Sequence, residues 1–199
     1  FVPLRMARNT CTAHNRRCDK SLRISDSWLI MPAMSEKIND PLEVRVGKLL
    51  TQDQQTLAAA ESCTGGLITH RLTNVSGSST YVIAAVVAYA YQAKVAALGV
   101  SWDTLNKFGA VSPETAIEMA RGAREKFSST IGLSVTGIAG PGGGMPGKPV
   151  GLTYVGLATA ERVIVEKYIW QGDRIANKEQ SAQAALDLLY RYLSKLQHT

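Results

Sequence analysis

The pattern of apolar and polar positions divides the chain at about residue 40. Before it, Arg, Ser, Asn and His are interspersed with single hydrophobes and no apolar period is sustained. From Pro41 onward Leu42, Val44, Val46, Leu49 and Leu50 recur at helical spacing, and Asp40-Pro41 reads as an N-cap followed by proline at the first helical position. The spacing predicts a helix to about Asp53. Thr56 to Glu61 is short and apolar and runs into Ser62-Cys63-Thr64-Gly65-Gly66; Leu67, Ile68, His70, Arg71 and Leu72 then read as helix. A strand, a tight turn and a helix start are predicted there, with Ser62 at the turn.

Val82 to Ala88 is an unbroken apolar run rich in β-branched residues, which predicts a strand covered on both faces, and Gln92 to Leu98 reads as helix. Ser112-Pro113-Glu114 carries the strongest helix-start signal: a capping hydroxyl, proline in the first turn and an acid near the positive dipole end. That helix is expected to stop near Phe127. Thr130 to Val135 is the next strand, and Gly137 to Gly151, with seven glycines and three prolines, is a loop. Leu152 to Ala158 and Val163 to Trp170 flank the turn Thr159-Ala160-Glu161-Arg162 and predict an antiparallel hairpin. Leu186, Leu189, Leu193 and Leu196 form one stripe on a closing helix. The order of elements predicts a layered α/β/α single domain with a mixed sheet over residues 41–199, preceded by an unstructured basic extension over residues 1–40. No internal repeat is visible.

Charge changes this picture little. Of a net +6, the basic residues Arg5, Arg8, Arg16, Arg17, Lys20 and Arg23, set against Asp19 and Asp26, place +4 in the first 33 residues, so the predicted domain carries only +2. That is no footprint for nucleic acid. The Arg-rich stretch is poor in acids, as targeting or nucleic-acid tails are, but Met34-Ser35-Glu36-Lys37 resembles an ordinary protein start, and a start-site artefact is the simpler account of what precedes it. Two of the three cysteines, Cys11 and Cys18, also fall there, leaving Cys63 alone in the domain. A disulfide or cysteine-based zinc framework is therefore excluded for the domain, and a reducing, cytoplasmic setting is expected. The longest apolar stretch, Tyr81 to Tyr91, is too short to span a bilayer as a helix.

The candidate chemistry centres on Ser62. A hydroxyl at a helix start sits among N–H groups that lack intrahelical partners and favour anions. Gly65 and Gly66 would let a substrate approach the backbone, and Thr64 adds a hydroxyl. The competing account is that Ser62 is an N-cap and the glycines relieve crowding. Cys63 competes as nucleophile, because a thiolate at a helix start is favoured, although a lone Cys beside a strand is commonly inert. No histidine is well placed as a base: His14 lies in the basic stretch, His198 at the terminus, and His70 two turns beyond Ser62. Lys94 remains, an effective base only if desolvated, and otherwise a solvated helix lysine. Tyr89 is either an orienting phenol or a core aromatic with a polar tip. Gly142-Gly143-Gly144-Met145-Pro146-Gly147-Lys148-Pro149 nearly spells a nucleotide P-loop, but Pro149 stands where a Ser or Thr would hold magnesium, and a strand follows. Arg174, after Gly172-Asp173, is either a phosphate clamp or an ion pair with its neighbour.

In this order Ala60-Glu61-Ser62-Cys63-Thr64-Gly65-Gly66, Gly77-Ser78-Ser79, Val87-Ala88-Tyr89 with Lys94, Gly109-Ala110-Val111-Ser112, Thr136-Gly137-Ile138-Ala139-Gly140-Pro141, Lys148-Pro149-Val150-Gly151 and Gly172-Asp173-Arg174 resemble the CinA C-terminal domain family, from about Leu42 to Leu196. The resemblance implies nicotinamide-nucleotide amidohydrolase activity: deamidation of nicotinamide mononucleotide to nicotinate mononucleotide and ammonia, in pyridine-nucleotide salvage. It implies Ser62 as the attacking hydroxyl, Lys94 as its base and Tyr89 close to both. Ser79, Thr136 and Arg174, with Thr64, Gly65 and Gly137, would hold the amide, ribose and phosphate, and helix-start N–H groups the oxyanion. It implies no metal or organic cofactor, a small nucleotide as the partner in place of nucleic acid or membrane, and a homodimer. Where the family reads Ser-Asn-Glu-Ala between the tyrosine and the lysine, this chain has Ala90-Tyr91-Gln92-Ala93, so the surroundings of Lys94 differ. A non-catalytic interaction role connected with competence or DNA damage is the second function that the resemblance allows.

Overall fold

A computed structural model describes residues 40–197; the expected basic extension lies outside the described residues. The sheet runs β2-β1-β3-β4-β5. Its strands are β1 (Leu57–Glu61), β2 (Val82–Val87), β3 (Ile131–Gly137), β4 (Leu152–Ala158) and β5 (Val163–Ile169). β1 is parallel to both β2 and β3, whereas β4 is antiparallel to β3 and β5, so the sheet is mixed, as expected. One face packs on α1 (Leu42–Gln52), α2 (Leu67–Thr73) and α6 (Arg174–Leu196) through Leu57, Ile131, Leu133, Val135, Val155 and Leu157. The other, through Ala58 and Ala60, packs on α3 (Tyr91–Leu98), α4 (Trp102–Phe108) and α5 (Pro113–Lys126).

Small residues decide how near α5 comes. A Cβ on Gly132 of β3 would stand 2.0 Å from the Ala120 carbonyl, and one on Gly122 would stand 1.7 Å from that of Leu98, so α5 lies against both the sheet and the end of α3. This close approach covers the inner face of α3, on which Lys94 and Leu98 are buried. α5 begins as expected, with Ser112 Oγ accepting the Thr115 amide and Pro113 in the first turn.

Three expectations need correction. Pro41 stands at the cap of α1 with extended backbone (ψ 148°), the helix starts at Leu42, and the Asp40 carboxylate pairs with Lys48 at 2.7 Å instead of capping. β2 is an edge strand and is not covered on both faces: Ile83 is 47% and Val87 50% exposed. Its apolar run reflects one packed face and an unpartnered second one. α4, capped by Ser101 Oγ at the Thr104 amide, was not foreseen, because its one buried residue, Leu105, displays no apolar period.

The turn between β1 and α2 is organised by Glu61, the last residue of β1, whose carboxylate is wholly buried. It accepts the amides of Gly66 (2.9 Å), Ile68 (3.2 Å) and Thr69 (2.9 Å) and the Thr69 hydroxyl (2.7 Å). Four donors and the N-terminal end of α2 stabilise this anion. Removing the acceptor leaves the buried Ile68 amide and the half-buried Gly66 and Thr69 donors unpaired. Glu61→Ala is therefore expected to lower the unfolding free energy by about 2–4 kcal/mol. A urea midpoint shift equivalent to less than about 0.5 kcal/mol, the range of ordinary surface substitutions, would remove Glu61 as the organiser of this turn.

Candidate active site

Ser62 follows β1 directly. Its amide donates to the Val135 carbonyl at 3.0 Å, which extends the β1–β3 ladder by one residue and fixes the backbone from which the hydroxyl projects. Because α2 starts at Leu67 and its first amides serve Glu61, Ser62 is neither the N-cap of that helix nor surrounded by its free N–H groups. That corrects the expectation that helix-start donors would be available beside it.

Lys94 reaches Ser62 from α3. The chain leaves β2 at Val87, passes Ala88-Tyr89-Ala90 and enters α3, so the first turn of the helix folds back over the ends of the parallel strands. The Lys94 side chain is 0% exposed. Its Nζ donates to Ser62 Oγ at 3.0 Å and to the carbonyls of Ala88 at 2.6 Å and Tyr89 at 3.2 Å. The solvated-lysine account is thereby overturned. Burial pushes the Lys94 pKa down to about 8, with the neighbouring Cys63 acting weakly in the opposite sense. A neutral amine keeps two N–H bonds and one lone pair. With Ala88 and Tyr89 accepting the two N–H bonds, the lone pair faces Ser62, and the Ser62–Lys94 hydrogen bond reverses direction to become that of a base.

Burial has the opposite consequence for Cys63, whose thiol is pushed up to about 12, so it remains protonated at neutral pH. Between the two adjacent candidates, Ser62 has the base and Cys63 has none.

A cavity of about 240 Å³ opens at Ser62 and is lined by Cys63, Tyr89, Thr136, Gly137, Gly140 and Arg174, among others. Thr136 is buried and its hydroxyl donates to the Ala110 carbonyl at 2.6 Å, so it positions the 109–111 wall and does not offer that proton to a substrate. Gly137 is required by contact: a Cβ there would lie 2.6 Å from Thr153 Oγ1 and 3.0 Å from Cys63 Sγ. Tyr89 contributes its carbonyl to Lys94, while its phenol, on a side chain 55% exposed, accepts from Arg174 Nη2 at 2.9 Å. The expected role of the Tyr89 phenol beside the amine is therefore corrected. Arg174 also donates through Nη1 to the Gly140 carbonyl at 2.7 Å, whereas Asp173 caps α6 by accepting the Ala176 amide. Arg174 thus ties the glycine-rich loop to Tyr89 and forms no ion pair with its neighbour.

Ser79 is not brought to the cavity. It is exposed on the 3₁₀ turn Ser78–Thr80 that precedes β2, at the other end of the β1–β2 pair from Ser62, a strand length or roughly 17 Å away. Thr64 and Gly65 line a neighbouring cavity with His70 and Lys178. Sequence reasoning missed Glu61 as the organiser of the turn and the Ala88 and Tyr89 carbonyls as amine acceptors. An acid closing an otherwise apolar strand was the available signal for Glu61; main-chain acceptors have none. A larger cavity, about 630 Å³ between α2, α6 and β5, is lined by Arg71, Tyr168, Trp170 and Asp187, among others, and holds none of the Ser62 group. Among the described residues no three His, Cys, Asp or Glu side chains gather in a metal-ligating group, and no helix is long and apolar enough to cross a membrane.

The profile of the CinA C-terminal domain matches residues 39–193. The chain belongs to the CinA C-terminal domain family. A protein of Halothermothrix orenii named as competence-damage inducible is 54% identical over 149 residues, which cover 74% of this chain and 36% of that protein. A CinA-like protein of Salinibacter ruber is 50% identical over 153 residues, 77% of this chain and 37% of its own length. The chain thus spans well under half the length of these relatives. Among solved structures, the competence/damage inducible protein CihA of Agrobacterium tumefaciens is 34% identical with a TM-score of 0.72, covering 80% of this chain and 99% of that one. A CinA superfamily protein of Klebsiella pneumoniae has a TM-score of 0.75 at 28% identity, covering 77% and 96%. This chain therefore has the CinA fold, and in it the end of the sheet carries the buried Lys94 and Ser62.

The lowered pKa of Lys94 has a signature in stability. The unfolded chain binds the proton up to the ordinary lysine value of 10.5, the folded chain only up to about 8, so folding stability relative to a Lys94→Met variant rises with pH between those limits. The expected rise is about 3 kcal/mol. Denaturant titrations of the two proteins at pH 7, 9 and 10.5 test it, and a pH-independent difference would mean that the amine is not desolvated.

Proposed function

We propose that this CinA-family domain is an amidohydrolase that converts nicotinamide mononucleotide to nicotinate mononucleotide and ammonia, with Ser62 as nucleophile and Lys94 as base. The observation that carries the reading is the fully buried Lys94 amine, 3.0 Å from Ser62 Oγ, with two main-chain carbonyls to hold its N–H bonds. A family resemblance supplies the substrate; the geometry supports acyl transfer.

In the first half-reaction the neutral Lys94 amine takes the Ser62 proton as Oγ bonds to the carboxamide carbon and the carbonyl electron pair moves onto oxygen. Glu61 occupies the amides of Gly66, Ile68 and Thr69, and the Ser62 carbonyl accepts that of Gly65, so none of these four donors is free for the oxyanion. Collapse breaks the carbon–nitrogen bond, the Lys94 ammonium returns the proton to nitrogen, and ammonia leaves an ester on Ser62. Water then attacks that ester, Lys94 again takes the proton, and the carboxylate departs as Ser62 is restored. Tyr89 and Arg174 frame the opening through which the pyridine enters, with Thr136 and Gly137 shaping the floor.

Ammonia release from nicotinamide mononucleotide is expected to fall at least about 10³-fold in Ser62→Ala and in Lys94→Arg, because a guanidinium does not give up its proton to become a base. Since the neutral amine is the active form, kcat/KM should rise with pH through about 8 and level above it. A flat profile from pH 6 to 10, or Lys94→Arg turnover within a few-fold of wild type, would refute the mechanism. The non-catalytic interaction role allowed by the competence and damage names of the relatives predicts no ammonia from the wild-type protein in the same assay.

A further inference from the structure

The Ser62 cavity, at about 240 Å³, lies below the range of about 300–1,000 Å³ within which small ligands and cofactors are held. A second cavity of about 350 Å³ adjoins the same turn. Ser62 and Cys63 line the first and Thr64 and Gly65 the second; on α6, Arg174 lines the first, while Ile175 and Lys178 line the second. The 62–65 turn and the start of α6 are thus common walls of the two spaces.

The second cavity has the chemistry for an anion. Among the described residues Lys178 forms no ion pair or hydrogen bond, and its Nζ stands 3.7 Å from where a Cβ on Gly65 would be. Thr64 is 1% exposed and its hydroxyl has no hydrogen-bond partner among the described residues, an arrangement that costs free energy. His70 lines the same space. Glu179, next to Lys178 on α6, is exposed and also lines this cavity, so one carboxylate stands at its rim beside the Lys178 ammonium and the Thr64 hydroxyl. Arg174 and Lys178 are one turn apart on one face of α6. Of these two cations, Arg174 donates to Gly140 and Tyr89, whereas Lys178 has no hydrogen-bond partner among the described residues; neither is ion-paired there.

We infer that the Lys178 cavity is the subsite for the phosphate monoester of the substrate, recognised by the Lys178 ammonium and the Thr64 hydroxyl, with Arg174 serving as a structural strut. The identity of the ligand rests on the amidohydrolase reading; the anion chemistry of the subsite does not. A mononucleotide whose carboxamide reaches Ser62 carries its charge at the far end, and Lys178 stands one turn along α6 from Arg174, which lines the Ser62 cavity.

The test compares Lys178→Ala with wild type on nicotinamide mononucleotide and on nicotinamide riboside, which lacks the phosphate. The ratio of kcat/KM for the mononucleotide to that for the riboside is expected to fall about 10- to 100-fold, the range for loss of a charge-assisted hydrogen bond. An unchanged ratio overturns the proposal. The second measurement follows the Gly65 amide by NMR during titration with inorganic phosphate, in wild type, Ser62→Ala and Lys178→Ala. A shift that saturates in the first two and is lost in the third supports the subsite even where the wild type releases no ammonia, the result that would defeat the amidohydrolase reading alone. Equal shifts in all three, or none, overturn the subsite.

Discussion

A lysine amine sealed from water must either find acceptors for its protons or lose one, and at Lys94 both pressures act together. The carbonyls of Ala88 and Tyr89 accept two N–H bonds, and Ser62 Oγ stands as the third contact. Desolvation favours the neutral amine, and the acceptors leave its lone pair only one direction in which to point. The arrangement requires a strand end that exposes carbonyls, a helix that turns back over it and a layer that excludes solvent. β2, α3 and α5 supply these in turn, and the contacts that only Gly132 and Gly122 permit let α5 come close enough to complete the seal.

Glu61 is the complementary case: a buried anion satisfied by hydrogen-bond donors, with no cation in contact. Its position one residue before Ser62 assigns the charge-stabilising capacity of the α2 start to structure and withholds it from a substrate. The nucleophile therefore depends on the turn itself and on Lys94. A neutral residue at position 61 would free those amides, but the turn would lose the acceptor that holds its shape. Local rigidity and electrostatic assistance compete for the same N–H groups, and in this fold rigidity takes them.

Much of the architecture was legible because it is written locally. The Ser112-Pro113 start, the 152–169 hairpin and the strand-to-turn passage at Ser62 each follow from signals within a few residues, and all are present. The Ser62 and Lys94 pair was reached by elimination of histidines and by resemblance, while its geometry depends on α5 packing that no local pattern encodes. The exposed face of β2 was misread for the same reason: an apolar run reports that a strand is buried somewhere, not which neighbours arrive. Ser79 failed because a linear series of motifs does not say at which end of a sheet each one emerges. Tyr89 stands out in the sequence for its ring, whereas its contact with the amine is through its carbonyl, which every residue has.

α6 connects stability with the shape of the site. Its inner face carries Leu186, Leu189 and Leu193 into the core, and its first turns carry Arg174 and Lys178 beside the two cavities. Arg174 spends its donors holding Gly140 and Tyr89 in place, so it acts on the opening by geometry. Lys178, one turn on, remains available to act by charge. A helix seated by leucines along its whole inner face fixes the distance between these two cations, and with it the length of ligand that can reach Ser62 at one end and an ammonium at the other. Under the proposed function, selection among pyridine amides is a matter of molecular length and terminal charge, set by core packing as much as by the groups that line the cavities.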